Sequence, residues 1–308
     1  MTFIKTLRTI LPGEALKTNE PLAKYTSFKI GGKADILVLP QKIEQIQQIS
    51  KLCSENNWSL TILGEGSNVL IADEGLRGIV LLTTGLNTLE VDIKPNEVSY
   101  ITVGAGVKLA KLADTACKAG LQGLEFAQAI PGSVGGAVYM NAGAYGHDIE
   151  EVCTRVTVLQ NNKLVEIPTP EMGFGYRTSR IQREGGIIVE ALFRLLPGDM
   201  TQIQAETKEL NNKRREKQPF EPSAGSTFKR PEGHFAGGLI EQAGLKGFTV
   251  GGAQVSEKHA GFVINKGGAT AEDVCRLMHE VRNRVHEMAG VWLEPEVKIF
   301  GRKYPWET

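Results

Sequence analysis

The chain has 308 residues, enough for two or three domains with a sizeable core. Its 35 basic residues balance 35 acidic ones, so composition provides no overall attraction to nucleic acid or to an anionic membrane. No stretch approaches the roughly 18 apolar residues that span a bilayer, and charged residues interrupt the N-terminal segment. The four cysteines are widely spaced and form no metal-binding pair. We therefore expect a reduced, cytoplasmic protein without a metal site.

The first predicted lobe, residues 1–82, combines one helix pattern with two strand patterns. The helix is predicted from apolar side chains at helical spacing, which are Ile43, Ile46, Ile49, Leu52 and Cys53. The strand-like segments 59–63 and 78–82 flank a first glycine segment, Gly64, Glu65, Gly66, Ser67, Asn68, Val69 and Leu70. Glycine lets a backbone approach a ligand closely. Because the third glycine of GxGxxG is missing and no helix pattern follows, this segment is not a Rossmann fingerprint.

The second predicted lobe, residues 83–200, contains a second glycine segment, residues 125–146. Strands are predicted at 100–103, 152–159 and 187–195, and a helix is predicted from Leu109 to about Gly120. The second glycine segment is apolar and carries Gly132, Gly135, Gly136, Gly143 and Gly146. It has no Walker lysine. A buried surface folded around a flat or phosphorylated ligand is one interpretation, and a glycine-rich turn cluster in an ordinary core is the other.

The third predicted lobe, residues 201–297, is bounded by helices. A polar helix is predicted over 201–217 and ends before Pro219 and Pro222. A second helix is predicted to begin at Thr270, where Asp273 completes a capping box. Its core stripe is predicted to comprise Val274, Leu277, Met278, Val281, Val285 and Met288. His279 and His286 on this helix are expected to face water. The sequence also leaves open a C-terminal strand, 298–308, that returns to the first lobe.

Three short motifs carry groups that could perform chemistry. Arg177 follows Tyr176 in Tyr-Arg-Thr-Ser, and its planar guanidinium suits a carboxylate. Ser226 lies in Ala-Gly-Ser-Thr-Phe-Lys, and Glu296 lies in Leu-Glu-Pro-Glu-Val-Lys. Taken singly, each residue also fits a structural role: a salt-bridge arginine, a serine that closes a turn and a strand carboxylate.

Together these motifs resemble a known family over nearly the whole chain. The resemblance runs from Asn19-Glu20-Pro21-Leu22 and Gly31-Gly32-Lys33-Ala34-Asp35, through both glycine segments, to Leu293-Glu294-Pro295-Glu296-Val297. The chain resembles UDP-N-acetylenolpyruvoylglucosamine reductases, flavoenzymes of bacterial cell-wall synthesis. The resemblance implies an α+β fold. Its parts are an FAD-binding fold of the vanillyl-alcohol-oxidase (PCMH) type in two α/β lobes and a C-terminal α/β substrate-binding domain.

The resemblance also implies a set of site residues. The catalytic residues are Arg177, Ser226 and Glu296. Substrate contacts are expected from Tyr176, Lys217, Arg230 and Gln242. Contacts to non-covalent FAD are expected from both glycine segments, namely Gly64, Glu65, Gly66, Ser67, Asn68, Val69, Leu70, Ile130, Pro131, Gly132, Ser133, Gly135, Gly136, Asn141, Gly143 and Ala144. No histidine or cysteine occurs between residues 58 and 82, which argues against covalent attachment of the flavin.

The implied reaction is the NADPH-driven reduction of UDP-N-acetylglucosamine enolpyruvate to UDP-N-acetylmuramate, for peptidoglycan synthesis. Hydride passes from flavin N5 to substrate C3, and Ser226 donates a proton to C2. Arg177 and protonated Glu296 stabilise the charge that develops on the substrate carboxylate. The short connection 178–186 leaves no room for the family's extra tyrosine loop, so the chain resembles the type II branch.

Two other classes remain as alternatives. One is a flavin oxidase or dehydrogenase of the same superfamily that acts on an alcohol or a sugar, and the other is a non-catalytic flavin or nucleotide-sugar binder. In every case we expect a small-molecule partner, a UDP-sugar enolpyruvyl ether in the leading interpretation. We expect no nucleic-acid or membrane partner, and a monomer or a weak oligomer.

Overall fold

The structure, a computed structural model, describes residues 2–11, 13–94 and 97–307. The chain forms two compact units. Unit 1 comprises Met1–Thr18, Ile36–Glu65 and Gly78–Arg214, and unit 2 comprises Asn19–Asp35, Gly66–Arg77 and Arg215–Thr308. Residues 1–82 are therefore shared between the units, whereas the predicted lobes divide the chain after residues 82 and 200. The division into three lobes stays a prediction.

The helices follow the apolar periodicity of the sequence. In the described residues they are α1 Thr2–Ile10, α2 Ile43–Glu55, α3 Leu109–Lys118, α4 Val134–Met140, α5 Arg180–Glu184, α6 Met200–Lys217, α7 Ala236–Gln242 and α8 Ala271–Ala289. The predictions of α2, α3, α6 and α8 are confirmed. Thr270 caps α8 by accepting a hydrogen bond from the backbone N–H of Asp273 through its hydroxyl, and the Asp273 carboxylate completes the capping box. Among the described residues, no helix has both the length and the apolarity that crossing a membrane requires.

The strands are short and mostly belong to antiparallel sheets. They are β1 Leu16–Pro21, β2 Lys33–Val38, β3 Leu60–Leu63, β4 Val69–Ile71, β5 Leu76–Leu82, β6 Leu89–Asp92, β7 Ser99–Gly104, β8 Leu121–Gln122, β9 Gly143–Ala144, β10 His147–Asp148, β11 Cys153–Gln160, β12 Lys163–Pro168, β13 Ile187–Pro197, β14 Ser223–Ser226, β15 Thr249–Val250, β16 Ala253–Val255, β17 Phe262–Asn265 and β18 Lys298–Phe300. Each strand predicted above has an observed counterpart, but the C-terminal one ends at Phe300, and the described residues 301–307 that follow are not in a strand.

Among the described residues the strands form a six-stranded antiparallel sheet, two four-stranded sheets and two two-stranded pairs. In unit 1 the order is β12-β11-β13-β7-β6, with β8 paired to the end of β13. In unit 2 the order is β14-β17-β16-β15, and β18 separately pairs in parallel with β4, Lys298 opposite Val69. A further sheet has the order β1-β2-β5-β3, in which β3 and β5 are parallel. The mixed helix and strand content is that of the predicted α+β class.

Each unit has its own hydrophobic core. The core of unit 1 surrounds its antiparallel sheet, where Phe193 is fully buried, and that of unit 2 surrounds α8. Five of the six residues predicted for the α8 stripe are 0% exposed, namely Val274, Leu277, Met278, Val281 and Val285. The prediction for Met288 is wrong, since this side chain is 45% exposed. It lies in the last turn before the Gly290 cap, where the helix extends past the core.

Candidate active site

Two glycines of the first glycine segment lie in close contact with other parts of the chain. Gly64 in unit 1 lies so near Ser133 that a Cβ at Gly64 would meet Ser133 Oγ at 2.5 Å. In unit 2, Gly66 has φ +64°, and a Cβ there would collide with the Tyr25 carbonyl oxygen. Both glycines are therefore required by the chain itself. Within unit 1, the Gly64–Ser133 contact joins the end of β3 to the second glycine segment.

The second glycine segment turns tightly into α4. Ser133 caps this helix, with its hydroxyl oxygen accepting from the Gly136 N–H at 3.3 Å. Gly135 packs against Ala105, and a Cβ at Gly135 would lie 2.8 Å from the Ala105 Cβ. Gly136 differs, because it is exposed and a Cβ there would meet only Ser133 Oγ, at 3.5 Å. The backbone at Gly136 is therefore open to approach by a ligand.

These residues fit a flavin nucleotide. The segments that meet at Gly64 and Ser133 are small and mainly uncharged, and they offer a hydroxyl and open backbone, as a phosphate-bearing ligand requires. Gln128 in the second segment adds an unsatisfied group, because its Oε1 is buried and has no hydrogen-bond partner among the described residues. A donor from a bound ligand would satisfy this oxygen. Sequence reasoning missed Gln128, although it is a polar side chain between the apolar residues Ala127 and Ala129.

The Tyr176-Arg177 motif forms a tight turn in unit 1. Gly175 and Thr178 exchange two backbone hydrogen bonds, of 3.3 and 3.2 Å, across the turn. Arg177 has φ +56°, an unfavourable conformation for a side chain of this size. Such backbone strain persists only where the surroundings enforce it, and it is common at functional sites.

Side chains from neighbouring segments hold this turn against the second glycine segment. Asn141 is 1% exposed and donates to the Gly175 carbonyl at 3.2 Å, while its Oδ1 accepts from the Glu150 N–H at 3.0 Å. Arg177 Nη2 donates to the Gly143 carbonyl at 2.9 Å, and Gln182 Nε2 donates to the Arg177 carbonyl at 3.1 Å. The hydrogen bond to the Gly143 carbonyl thus orients the Arg177 guanidinium against the second glycine segment.

In unit 2 the structure brings Ser226 and Glu296 onto adjacent stretches of backbone. The N–H of Glu296 donates to the carbonyl of Thr227, the residue after Ser226, at 2.9 Å. The pairing continues through a bridge between Phe228 and Pro295 and a 2.8 Å bond from the Lys229 N–H to the Glu294 carbonyl. Two motifs about 70 residues apart in the sequence therefore meet through strand-like hydrogen bonds.

Asn68 and Lys298 lie near Glu296. Asn68 Nδ2 donates to its backbone carbonyl at 3.1 Å, so the first glycine segment lies beside it. Glu296 is half-buried, whereas Glu294 is exposed and pairs with Lys229 at 3.3 Å. Burial lowers the pKa of Lys298, the positive charge of Lys229 adds to this effect, and the Glu296 carboxylate opposes it. Sequence reasoning missed Lys298, two positions after Glu296.

The predicted substrate contacts are at the surface of their units. Tyr176 in unit 1 is 53% exposed, and the Arg177 guanidinium carbon lies 5.1 Å from its ring centre. In unit 2, Arg230 stacks on Phe235 at 4.6 Å. Lys217 and Gln242 are exposed at the last residues of α6 and α7. All four side chains lie where a ligand could reach them.

Comparison with known proteins identifies two matching domain families. A sequence model of the FAD binding domain matches residues 34–165, and a model of the UDP-N-acetylenolpyruvoylglucosamine reductase C-terminal domain matches residues 217–300. The architecture is therefore that of an FAD-binding protein with a C-terminal reductase domain. A glucose oxidase variant of Phl p 4 shares the fold over 65% of this chain and 45% of its own, with a TM-score of 0.51 and 17% identity.

More similar relatives cover almost the entire chain. UDP-N-acetylenolpyruvoylglucosamine reductase of Lachnoclostridium phytofermentans is 48% identical over 97% of both chains. The Listeria monocytogenes protein of the same name is 48% identical over 96% of this chain and 98% of its own. The crystal structure of the Thermus caldophilus reductase, 34% identical, covers 92% of this chain and 98% of its own with a TM-score of 0.77. The chain belongs to the family of UDP-N-acetylenolpyruvoylglucosamine reductases.

Proposed function

We propose that this chain reduces UDP-N-acetylglucosamine enolpyruvate to UDP-N-acetylmuramate, with FAD as its cofactor and NADPH as the electron donor. The observation that carries the proposal is the backbone bond between Thr227 and Glu296, which pairs the segment of the proposed proton donor with that of the proposed carboxyl group. In the balanced reaction the alkene gains a hydride at C3 and a proton at C2, and NADPH becomes NADP⁺. The product feeds peptidoglycan synthesis.

FAD, when bound, takes a hydride from NADPH and passes it to the substrate. We propose that the backbone of both glycine segments holds it without a covalent bond. The open backbone at Gly136 and the buried acceptor of Gln128 support this assignment. The contacts proposed from the sequence are Gly64, Glu65, Gly66, Ser67, Asn68, Val69, Leu70, Ile130, Pro131, Gly132, Ser133, Gly135, Gly136, Asn141, Gly143 and Ala144. The side-chain amide of Asn141 is buried and already makes two hydrogen bonds. This supports an indirect role in the site, in which Asn141 holds the Arg177 turn.

Arg177 is proposed to bind the substrate carboxylate. Hydride addition at C3 pushes electron density into this carboxylate, and a fixed cation stabilises charge that develops there. The bond to Gly143 and the strained turn restrict the guanidinium before substrate arrives, so little orientation remains to be lost on binding. Tyr176, Lys217, Arg230 and Gln242 are proposed to contact the rest of the UDP-sugar.

Ser226 is proposed to deliver the proton to C2. Glu296 is proposed to donate a hydrogen bond to the substrate carboxylate, on which negative charge develops. A serine hydroxyl is a weak acid, so a nearby cation must favour its ionised form. Lys229, three residues after Ser226, and the half-buried Lys298 provide positive charge in this part of unit 2. A cytoplasmic location, a monomeric or weakly oligomeric state and the three-lobe division belong to the same proposal.

A purified sample tests the proposal directly. We expect a yellow protein whose flavin is released as free FAD by acid or heat. NADPH should reduce the flavin, and UDP-N-acetylglucosamine enolpyruvate should reoxidise it with formation of UDP-N-acetylmuramate. Reoxidation by this substrate no faster than by buffer, with rapid turnover of an alcohol or sugar, would establish the oxidase alternative instead. A colourless protein that never takes up FAD would overturn both.

A further inference from the structure

Two side chains hold the backbone on either side of Glu296. Arg282 Nε, from α8, donates to the carbonyl of Leu293 at 3.2 Å. The Tyr304 hydroxyl, near the C-terminus, donates to the carbonyl of Val297 at 2.7 Å. Leu293 and Val297 are 1% exposed, and they delimit the short segment that contains Glu296. This segment is therefore fixed at both ends by side-chain donors.

The same two side chains belong to a stack of rings on α8. The Arg282 guanidinium carbon lies 4.1 Å from the Trp292 ring centre and 4.8 Å from that of Trp306, so it contacts both indoles. The Tyr304 and Trp306 rings stack at 5.4 Å and 14°. The C-terminal residues are thus attached to the helix by the arginine that holds Leu293.

His279 and His286 complete the stack, which corrects the expectation that they face water. His286 stacks on Trp292 at 3.7 Å and 12°, and His279 on Trp306 at 6.4 Å and 15°. The Nδ1 atoms of both rings are buried without a partner among the described residues. The expectation is wrong because residues 292 and 304–306 cover this face of α8. The helical periodicity within α8 cannot predict which residues outside the helix pack on it.

We propose that the C-terminal segment 301–307, acting through Tyr304 and with Arg282 of α8, is a positioning element for Glu296. The inference rests on the proposed function. The segment lies beyond residues 217–300, which match the family's C-terminal domain. The Glu296 carboxyl group is proposed to hydrogen-bond to the negative charge that develops on the substrate. Such a group tolerates little displacement, since small misplacements strongly reduce catalysis. Neither Tyr304 nor Arg282 is proposed to touch substrate; both act through the backbone that carries Glu296.

Tyr304→Phe is the sharpest test, because it removes one hydroxyl and keeps the ring that stacks on Trp306. We expect reoxidation of reduced enzyme by UDP-N-acetylglucosamine enolpyruvate to slow about five- to tenfold, which is what loss of one hydrogen bond can produce. Flavin reduction by NADPH and the KM for the enolpyruvyl substrate should change less than about twofold if only transition-state stabilisation is lost.

Arg282→Lys should also slow the reoxidation of reduced enzyme by the enolpyruvyl substrate. Arg284→Lys is the control, since Arg284 lies on the same helix but stacks on Phe248 and pairs with Glu280 at 3.6 Å.

A double-mutant cycle separates positioning from general stability. If Tyr304 acts through Glu296, adding Tyr304→Phe to Glu296→Gln should produce little further loss of rate. Hydrogen exchange of the peptide 293–299 should be faster in Tyr304→Phe. Full additivity, an equal loss in both half-reactions, or wild-type rates in Tyr304→Phe and Arg282→Lys would overturn the positioning role. Failure of the wild-type protein to turn over the substrate would instead overturn the proposed function.

Discussion

The Arg177 turn in unit 1 and the Ser226–Glu296 pair in unit 2 are held in different ways. The turn contains one left-handed residue and is closed by two backbone bonds between Gly175 and Thr178, and side-chain bonds from Asn141 and Gln182 attach it to the rest of unit 1. The Ser226–Glu296 pair depends on backbone bonds between neighbouring segments, with side-chain donors at the ends of the Glu296 segment. We infer that the fold of the turn is sensitive to single polar side chains. The backbone pairing of the Ser226 and Glu296 segments should survive the loss of one side chain, so that Tyr304 and Arg282 affect only the fine placement of Glu296.

The largest effect is expected for Ser226→Ala, which removes the proposed proton donor and leaves the backbone pairing intact. A positioned general acid contributes about 10²- to 10⁴-fold, and we expect a loss of that order in turnover. FAD binding and reduction by NADPH should be almost unchanged. Rapid mixing of reduced enzyme with substrate measures the affected step.

Ser226→Cys should retain more activity than Ser226→Ala, because a thiol also donates a proton. Ser223→Ala, on the same strand, is the matched control and should behave as wild type. Normal product formation by Ser226→Ala would remove Ser226 from the mechanism and leave Glu296 to be tested alone.

Arg177→Lys should have the next largest effect. Lysine keeps the positive charge but loses the planar fork and the geometry of the Gly143 bond. Hydrogen bonds to charged groups contribute about 1.5–3 kcal/mol, so we expect reoxidation by substrate to slow about 10- to 100-fold. Arg180→Lys, in the exposed pair with Glu184, should have little effect. An equal loss in reduction by NADPH would indicate that Arg177 is structural.

Asn141 tests whether the turn relies on single side chains. Both Asn141→Ala and Asn141→Gly lose the side-chain hydrogen bonds to Gly175 and Glu150. We expect the free energy of unfolding of each variant to fall by about 1–3 kcal/mol. Because Asn141 has φ +42°, alanine should be about 1 kcal/mol worse than glycine. Urea denaturation measures both values. Equal stability of the two variants would show that backbone conformation contributes little at this position.

The smallest effect is expected for the buried thiols, which report local unfolding in each unit. Burial raises the pKa of Cys153 in unit 1 and of Cys275 in unit 2 to about 11. The neutral thiol is favoured in the folded chain, so the stability it contributes is complete below the unfolded value of 9.0 and is lost as pH rises towards 11.

At pH 8 we expect iodoacetamide to leave both thiols unmodified in the native protein and to label them after unfolding. In Asn141→Gly, Cys153 should become reactive before Cys275, which peptide mass spectrometry detects. Simultaneous labelling would mean that the two units open together.

Much of the local structure was predictable from the sequence. The stripe on α8, the cap at Thr270 and the strands around the first glycine segment follow from periods of 3.6 and 2 and from capping chemistry, which depend on neighbours in the chain. The site motifs were also recognisable, because Tyr-Arg, Gly-Ser and Glu-Pro-Glu occur in the order expected for the family.

Other features were decided by tertiary structure alone. The bond between Thr227 and Glu296, the Lys298 charge beside Glu296 and the cover over His279 and His286 join segments that are distant in sequence, so no local pattern contains them. The glycines illustrate the same division. Their clustering in the sequence predicted close approach, but only the fold identifies what approaches: at Gly64 it is Ser133, at Gly66 it is Tyr25, and at Gly136 the backbone remains open.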